Sequence, residues 1–184
     1  MNRWLLLFFF LPVLAFAAIP TWKVIPDQSS IKFTATQNNA PVSGTFKTFS
    51  ADIHFDPEQL NGSSVKVTVD MDSMVTAYAD VAATLKTPEW FDVKQFPHAV
   101  FQATQFKKIG EKTYQAEGTL TIRDKTLPVV LPFTLESFSK TSATVIGNMI
   151  LKRTQFNVGS GEWAKTTEIK DDVKVEFKVV ASAG

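Results

Sequence analysis

Residues 114–122 read YQAEGTLTI, and their alternation decides the fold class. Tyr114, Ala116, Gly118, Leu120 and Ile122 fall on one side of an extended chain, and Gln115, Glu117, Thr119 and Thr121 on the other. Successive side chains of a strand point to opposite faces, so this stretch predicts a strand with one buried face and one wet face. The pattern recurs upstream in IKFTA (31–35) and VKVTVDM (65–71), and downstream in ATVIGNMIL (143–151) and VKVEFKV (173–179). Fainter versions span Thr45–Phe55, Val100–Phe106 and Thr126–Leu135; within the first, Phe46 is out of phase with Phe49, Ala51, Ile53 and Phe55, which predicts a bulge. The sum is about eight strands of the antiparallel, one-face-buried kind. Turn residues separate them: Asp56-Pro57, Asn61-Gly62, Ile109-Gly110-Glu111, Arg123-Asp124-Lys125 and 137–141. No repeat or linker interrupts the series, so the reading is one all-β domain.

The alternation stops once, in MVTAYADVAATLKTPEWFDVKQFP (74–97). Ala79–Lys86 is rich in helix formers, with Val81 and Leu85 one turn apart, and Pro88 and Pro97 limit any extension. A short helix followed by an irregular aromatic segment is expected. Long structured connections of this kind carry function more often than tight turns do.

The amino terminus reads MNRWLLLFFFLPVLAFAA: a basic residue, an apolar run from Leu5 to Leu14, then Ala15 and Ala17 in an A-x-A arrangement. This is the layout of a cleaved secretory signal. The run is shorter than the ~20 residues that span a bilayer. The expected division is therefore a signal over residues 1–17 and a domain over residues 18–184, exported to the periplasm. Loss of Arg3 with the leader balances the remaining Lys and Arg against the 18 Asp and Glu. A neutral surface does not recruit nucleic acid or an anionic membrane. The chain has no cysteine, which rules out disulfides, thiol redox chemistry and thiolate metal sites.

The expected inward face mixes large residues with Ala35, Ala103, Ala116, Gly118, Ala143 and Gly147. A barrel of about eight strands is just wide enough to hold one small ligand, and small residues facing inward leave room for it. The alternative is that Phe33, Phe101, Phe133 and Phe177 fill that room, and periodicity does not choose between the two. Catalytic patterns are sparse. His54 and His98 lack partners at metal-ligand spacing. Gly159-Ser160-Gly161 has neither the strand-to-helix setting of a nucleophile elbow nor the Gly-Lys-Ser/Thr of a phosphate loop.

Five blocks in order, SGTFKTFSADIHFDP, TPEWFDVKQFPHAVFQA, GTLTIRDKTLPVVLPF, LKRTQFNVGSGEW and IKDDVKVEFKVVA, resemble the YceI-like family of exported proteins over about residues 22 to 181. The resemblance implies an antiparallel, lipocalin-like barrel with a helix across it, a long apolar tunnel, a polyisoprenoid or similar long-chain lipid as ligand, a periplasmic setting and no established enzymatic activity; no cofactor is expected. The chain departs from the family pattern at FNVGSGEW, where much of the family has a shorter Phe-Gly-Ile/Val turn after the Arg, and its Gly-x-Gly-Glu-Trp form resembles a subgroup.

Parity then assigns the tunnel wall to Phe33, Val67, Phe101, Leu120, Phe133, Met149 and Val175, with Trp90 and Phe91 at the entrance. The odd parity of Ala143–Leu151, continued, turns Arg153 inward at the strand's end. Its planar fork suits either a structural cap that binds carbonyls or a carboxylate, or an anchor for a pyrophosphate head group. Gly159 and Gly161 are expected to free the backbone for the corner that follows, and Trp163 to plug the barrel end. Carriage or sequestration of a long apolar amphiphile is the expected function. Two other readings stay open: a lipid-acting enzyme in which Asp70, Asp72 or His98 converge in a cleft, and an interaction module with a filled core. Whether two chains pair as a homodimer is not decided by these residues.

Overall fold

The structure is a computed structural model and describes residues 18–184, so the leader read over residues 1–17 lies outside the described residues. Eleven strands form one antiparallel sheet: β1 (Thr21–Val24), β2 (Ser30–Gln37), β3 (Ala40–Phe46), β4 (Phe49–His54), β5 (Ser64–Asp70), β6 (Met74–Thr76), β7 (His98–Lys108), β8 (Thr113–Ile122), β9 (Lys125–Phe138), β10 (Ser142–Lys152) and β11 (Asp172–Ala183). Among the described residues there is one α-helix, α1 (Ala79–Leu85), within the long connection, where the sequence places it. Pairing of β1 with both β4 and β11 closes the sheet.

Eleven strands make eight staves, because three staves are broken. Strands β1 and β2 both run along β11 and are separated by the 3-10 turn Pro26–Gln28. Strands β5 and β6 are separated by Met71–Ser73. Between β3 and β4 lies Lys47-Thr48, where the sequence predicts a bulge inside one strand. The structure corrects that: β3 pairs with β2 and β6, whereas β4 pairs with β1 and β5. The break is held from a distance, because the Lys47 and Thr48 N–H groups donate to the Ser73 carbonyl and hydroxyl, at 3.2 and 3.0 Å. With the breaks bridged, each stave pairs with the next in sequence, and the fold is an eight-staved up-and-down barrel.

Two glycines expected to widen the interior do something else. Gly147 faces inward opposite Phe177 and Phe133, but the Phe177 ring lies over it, and a Cβ there would sit against that ring and 2.6 Å from the Pro132 carbonyl oxygen. Gly118 is paired with Ala103 where the β7–β8 register slips between Ala103 and Gln105. A Cβ at Gly118 would strike the Gln102 carbonyl oxygen, with the Ala103 Cβ only 2.7 Å away. Gly147 thus admits a neighbouring ring, and Gly118 admits the backbone of a bulge. At Gly147 a large neighbour takes up the room, and at Gly118 the adjacent strand's own backbone does.

Candidate functional site: an apolar cavity closed at both ends

Inward side chains of the staves enclose a cavity of about 290 Å³. Its wall carries all ten residues assigned from the sequence: Phe33, Val67, Trp90, Phe91, Phe101, Leu120, Phe133, Met149, Arg153 and Val175. Arg153 is the one charged residue among the lining residues. Every other wall residue is aliphatic or aromatic, so the interior offers dispersion and hydrophobic contact and no free acid or base.

Tilted aromatic rings close one end. Trp22 meets Phe138 at 5.3 Å between ring centres, and its indole N–H donates to the Phe55 carbonyl at 2.9 Å. Phe55 packs edge-on against Phe106, Tyr114 and Phe133 at 5.4 to 5.8 Å. Sequence parity leaves Trp22 and Phe138 unassigned: β1 is too short for its alternation to register, and Phe138 lies beyond a slip between β9 and β10.

Arg153 organises the other end. It begins the 3-10 turn Arg153–Phe156 directly after β10 and is 4% exposed. Its Nε donates to Lys170 O at 3.1 Å, and Nη1 to Val158 O and Gly159 O at 3.0 and 3.2 Å. Nη2 faces the carbonyls of Trp163, Lys165 and Ile169 at 2.8, 3.1 and 3.0 Å. Five N–H groups thus serve six carbonyls, and no donor is left for a phosphate. This is the geometry of a cap, without the anchor's free donors. Burial lowers the guanidinium pKa, while nearby Asp171 opposes the shift. For Asp171, burial acts to raise the carboxyl pKa, but the Thr154 N–H and hydroxyl, with Lys152 and Arg153, outweigh it and hold the group below its usual range.

The Gly159-Ser160-Gly161 corner exists to let the arginine in. Gly159 has φ +78°, and a Cβ there would collide with Arg153 Nη1; Gly161 has φ +63°. The Gly159 and Ser160 N–H groups donate to the Glu89 carbonyl at 2.9 and 2.7 Å, tying the corner to the connection that carries Trp90. Trp90 packs near both the guanidinium, 5.7 Å from its ring centre, and Trp163, also at 5.7 Å. At 6% exposure it is part of a plug. The expected entrance at Trp90 and Phe91 is therefore a closed end, because the carbonyl cage draws the loop over the barrel.

Asp70, Asp72 and His98 do not converge on the cavity. Asp70 faces His98 across β5 and β7 on the parity opposite to Val67 and Val69, and its carboxylate caps the Asp72 N–H at 2.9 Å. Asp72 pairs with Lys86 at 2.9 Å. His54 has a carboxylate neighbour, Asp52, at 3.1 Å, also off the cavity wall. Among the described residues no cluster of three or more His, Asp or Glu could hold a metal.

A closed antiparallel barrel around one apolar cavity defines a lipocalin-like architecture. The family model described as the YceI-like domain matches residues 22–181, and the chain belongs to that family. It is similar to Burkholderia cenocepacia BcnA, with 32% identity, a TM-score of 0.82, and coverage of 85% of this chain and 98% of that one. A Campylobacter jejuni YceI protein shares the fold at 21% identity and a TM-score of 0.69, covering 99% and 98% of the two chains. So does a Saccharophagus degradans domain described as polyisoprenoid binding, at 12% identity and 0.71, covering 91% and 100%. Among curated relatives, the UPF0312 protein of Photorhabdus laumondii is 36% identical over 88 residues, 48% of this chain and 45% of its own length. The chain thus spans about half the length of the curated relatives it matches.

Proposed function

We propose that this protein is a periplasmic carrier that sequesters the hydrocarbon part of a long-chain amphiphile, a polyisoprenoid or a similar lipid, inside the barrel. The observation that carries this reading is the cavity wall, whose one charged side chain has every donor occupied. Such a wall discriminates by the length and thickness of an apolar chain and is indifferent to its head group, which stays outside. The volume, about 290 Å³, lies just below the roughly 300–1,000 Å³ typical of ligand pockets, which suits one slender chain. The polyisoprenoid-binding description of the Saccharophagus relative supports the same ligand class, and the amino-terminal leader pattern supports export. Among the described residues no titratable pair meets at the cavity, so carriage involves no catalytic step.

The test is a displacement titration with prenyl alcohols of increasing length. Burying a methylene is worth ~0.8 kcal/mol, so each isoprene unit that fits should tighten binding more than about tenfold, and units beyond the cavity should add little. Alcohol and pyrophosphate of equal length should bind alike. Affinity that ignores chain length, or that follows the pyrophosphate, would refute this reading.

A further inference from the structure

The barrel wall is not hydrogen-bonded evenly. The β8–β9 ladder runs from Thr113↔Thr134 to Ile122↔Lys125, and the β10–β11 ladder from Ser142↔Ser182 to Lys152↔Asp172. The β9–β10 ladder, in contrast, ends at Gly147↔Phe133. Beyond that point the β9 stretch 125–132 and the β10 stretch 148–152 have partners only on their far sides.

The cause is written in β9. Pro128 and Pro132 have no N–H to donate. Backbone donors alternate between the two neighbouring strands, and the Leu135 N–H points toward β8, donating to Lys112 O at 2.8 Å. Odd-numbered residues of β9 therefore serve β8, and the two missing donors are those that would face β10. This explains why the β8 ladder passes both prolines unbroken. Proline on such an edge also discourages pairing with another chain.

The seam lies directly over the cavity. Leu131, Met149 and Leu151 line the interior on its two sides. Continuing the register of Gly147↔Phe133 sets Val130 opposite Ile150 on the outer face, and these are 49% and 55% exposed. An apolar pair outside, an apolar wall inside and no main-chain ladder between them form a continuous hydrophobic route, whereas aromatic rings and the Arg153 cage close the two ends.

We propose that the seam between β9 and β10 is the portal through which the hydrocarbon chain enters sideways. The inference rests on the carriage reading above. Opening the seam breaks no ladder, which makes it the part of the wall expected to separate at lowest cost.

The chain lacks cysteine, so the double variant Val130→Cys/Ile150→Cys can be locked cleanly, by oxidation or, at wider spacing, by a short reducible bis-thiosulfonate linker. The control lock is Ser50→Cys/Thr68→Cys, across the intact β4–β5 ladder. The probe is parinaric acid, a polyene that fluoresces in apolar surroundings, followed by stopped flow. Locking the seam should slow uptake and release about tenfold with little change in equilibrium affinity, as expected when a gate limits exchange. Reduction should restore the rate, and the control lock should leave it unchanged. Pro128→Thr/Pro132→Thr, which returns both donors, should slow uptake without any cross-link. Equal rates in locked and reduced protein, with the proline variant as fast as the parent, would overturn the portal. Failure of every form to bind parinaric acid would instead overturn the carriage reading, and the portal with it.

Discussion

Replacing Arg153 by Met is expected to cost about 3–5 kcal/mol of stability, because it strips the donors from a set of buried carbonyls and leaves more than one of them unsatisfied. Six carbonyls surround the guanidinium, and a buried acceptor left without a donor costs about 1–3 kcal/mol, lessened where water can enter. The loss should appear in urea unfolding without ligand. Arg153→Lys should rescue only part of it, because an ammonium has three donors and no planar fork. Any loss of affinity should be equal for a prenyl alcohol and its pyrophosphate. Intact stability with a selective loss of ~1.5–3 kcal/mol for the pyrophosphate, the worth of a charge-assisted hydrogen bond, would make the arginine an anchor after all.

Val67→Trp is expected to abolish binding, weakening it more than about a hundredfold, because the indole would occupy the volume that the ligand's methylenes need. Val67 sits mid-wall between Ala51 and Phe101. Val67 lines the cavity, whose space can take part of the ring, so the overpacking penalty should stay within ~1–3 kcal/mol. Titration of parinaric acid together with a thermal melt separates the two effects. Undiminished affinity in a stably folded variant would place the ligand somewhere other than the barrel interior.

Period-two alternation is a local property, and it carried the wall: Val67, Leu120, Met149 and Val175 face the cavity because their neighbours along the chain face away. Features set by distant partners were not legible. The break at Lys47-Thr48 depends on Ser73, and the Phe46 phase slip alone does not separate a bulge from two strands with different partners. Alternation alone does not decide whether a small inward residue leaves space or admits a neighbour, and Gly147 lies beneath the Phe177 ring, which belongs to another strand. The inward turn of Arg153 follows from parity, but its saturation by carbonyls needs the loop 158–170 folded back over it. Pro128 and Pro132 were visible throughout, and their meaning appears only once the direction of each N–H in β9 is known.

Native mass spectrometry of the protein purified gently from a membrane-containing host reads out carriage itself. A population carrying one long-chain lipid per barrel is expected, absent from Val67→Trp purified in parallel. A bare chain alone, or the same adduct on Val67→Trp, would contradict it.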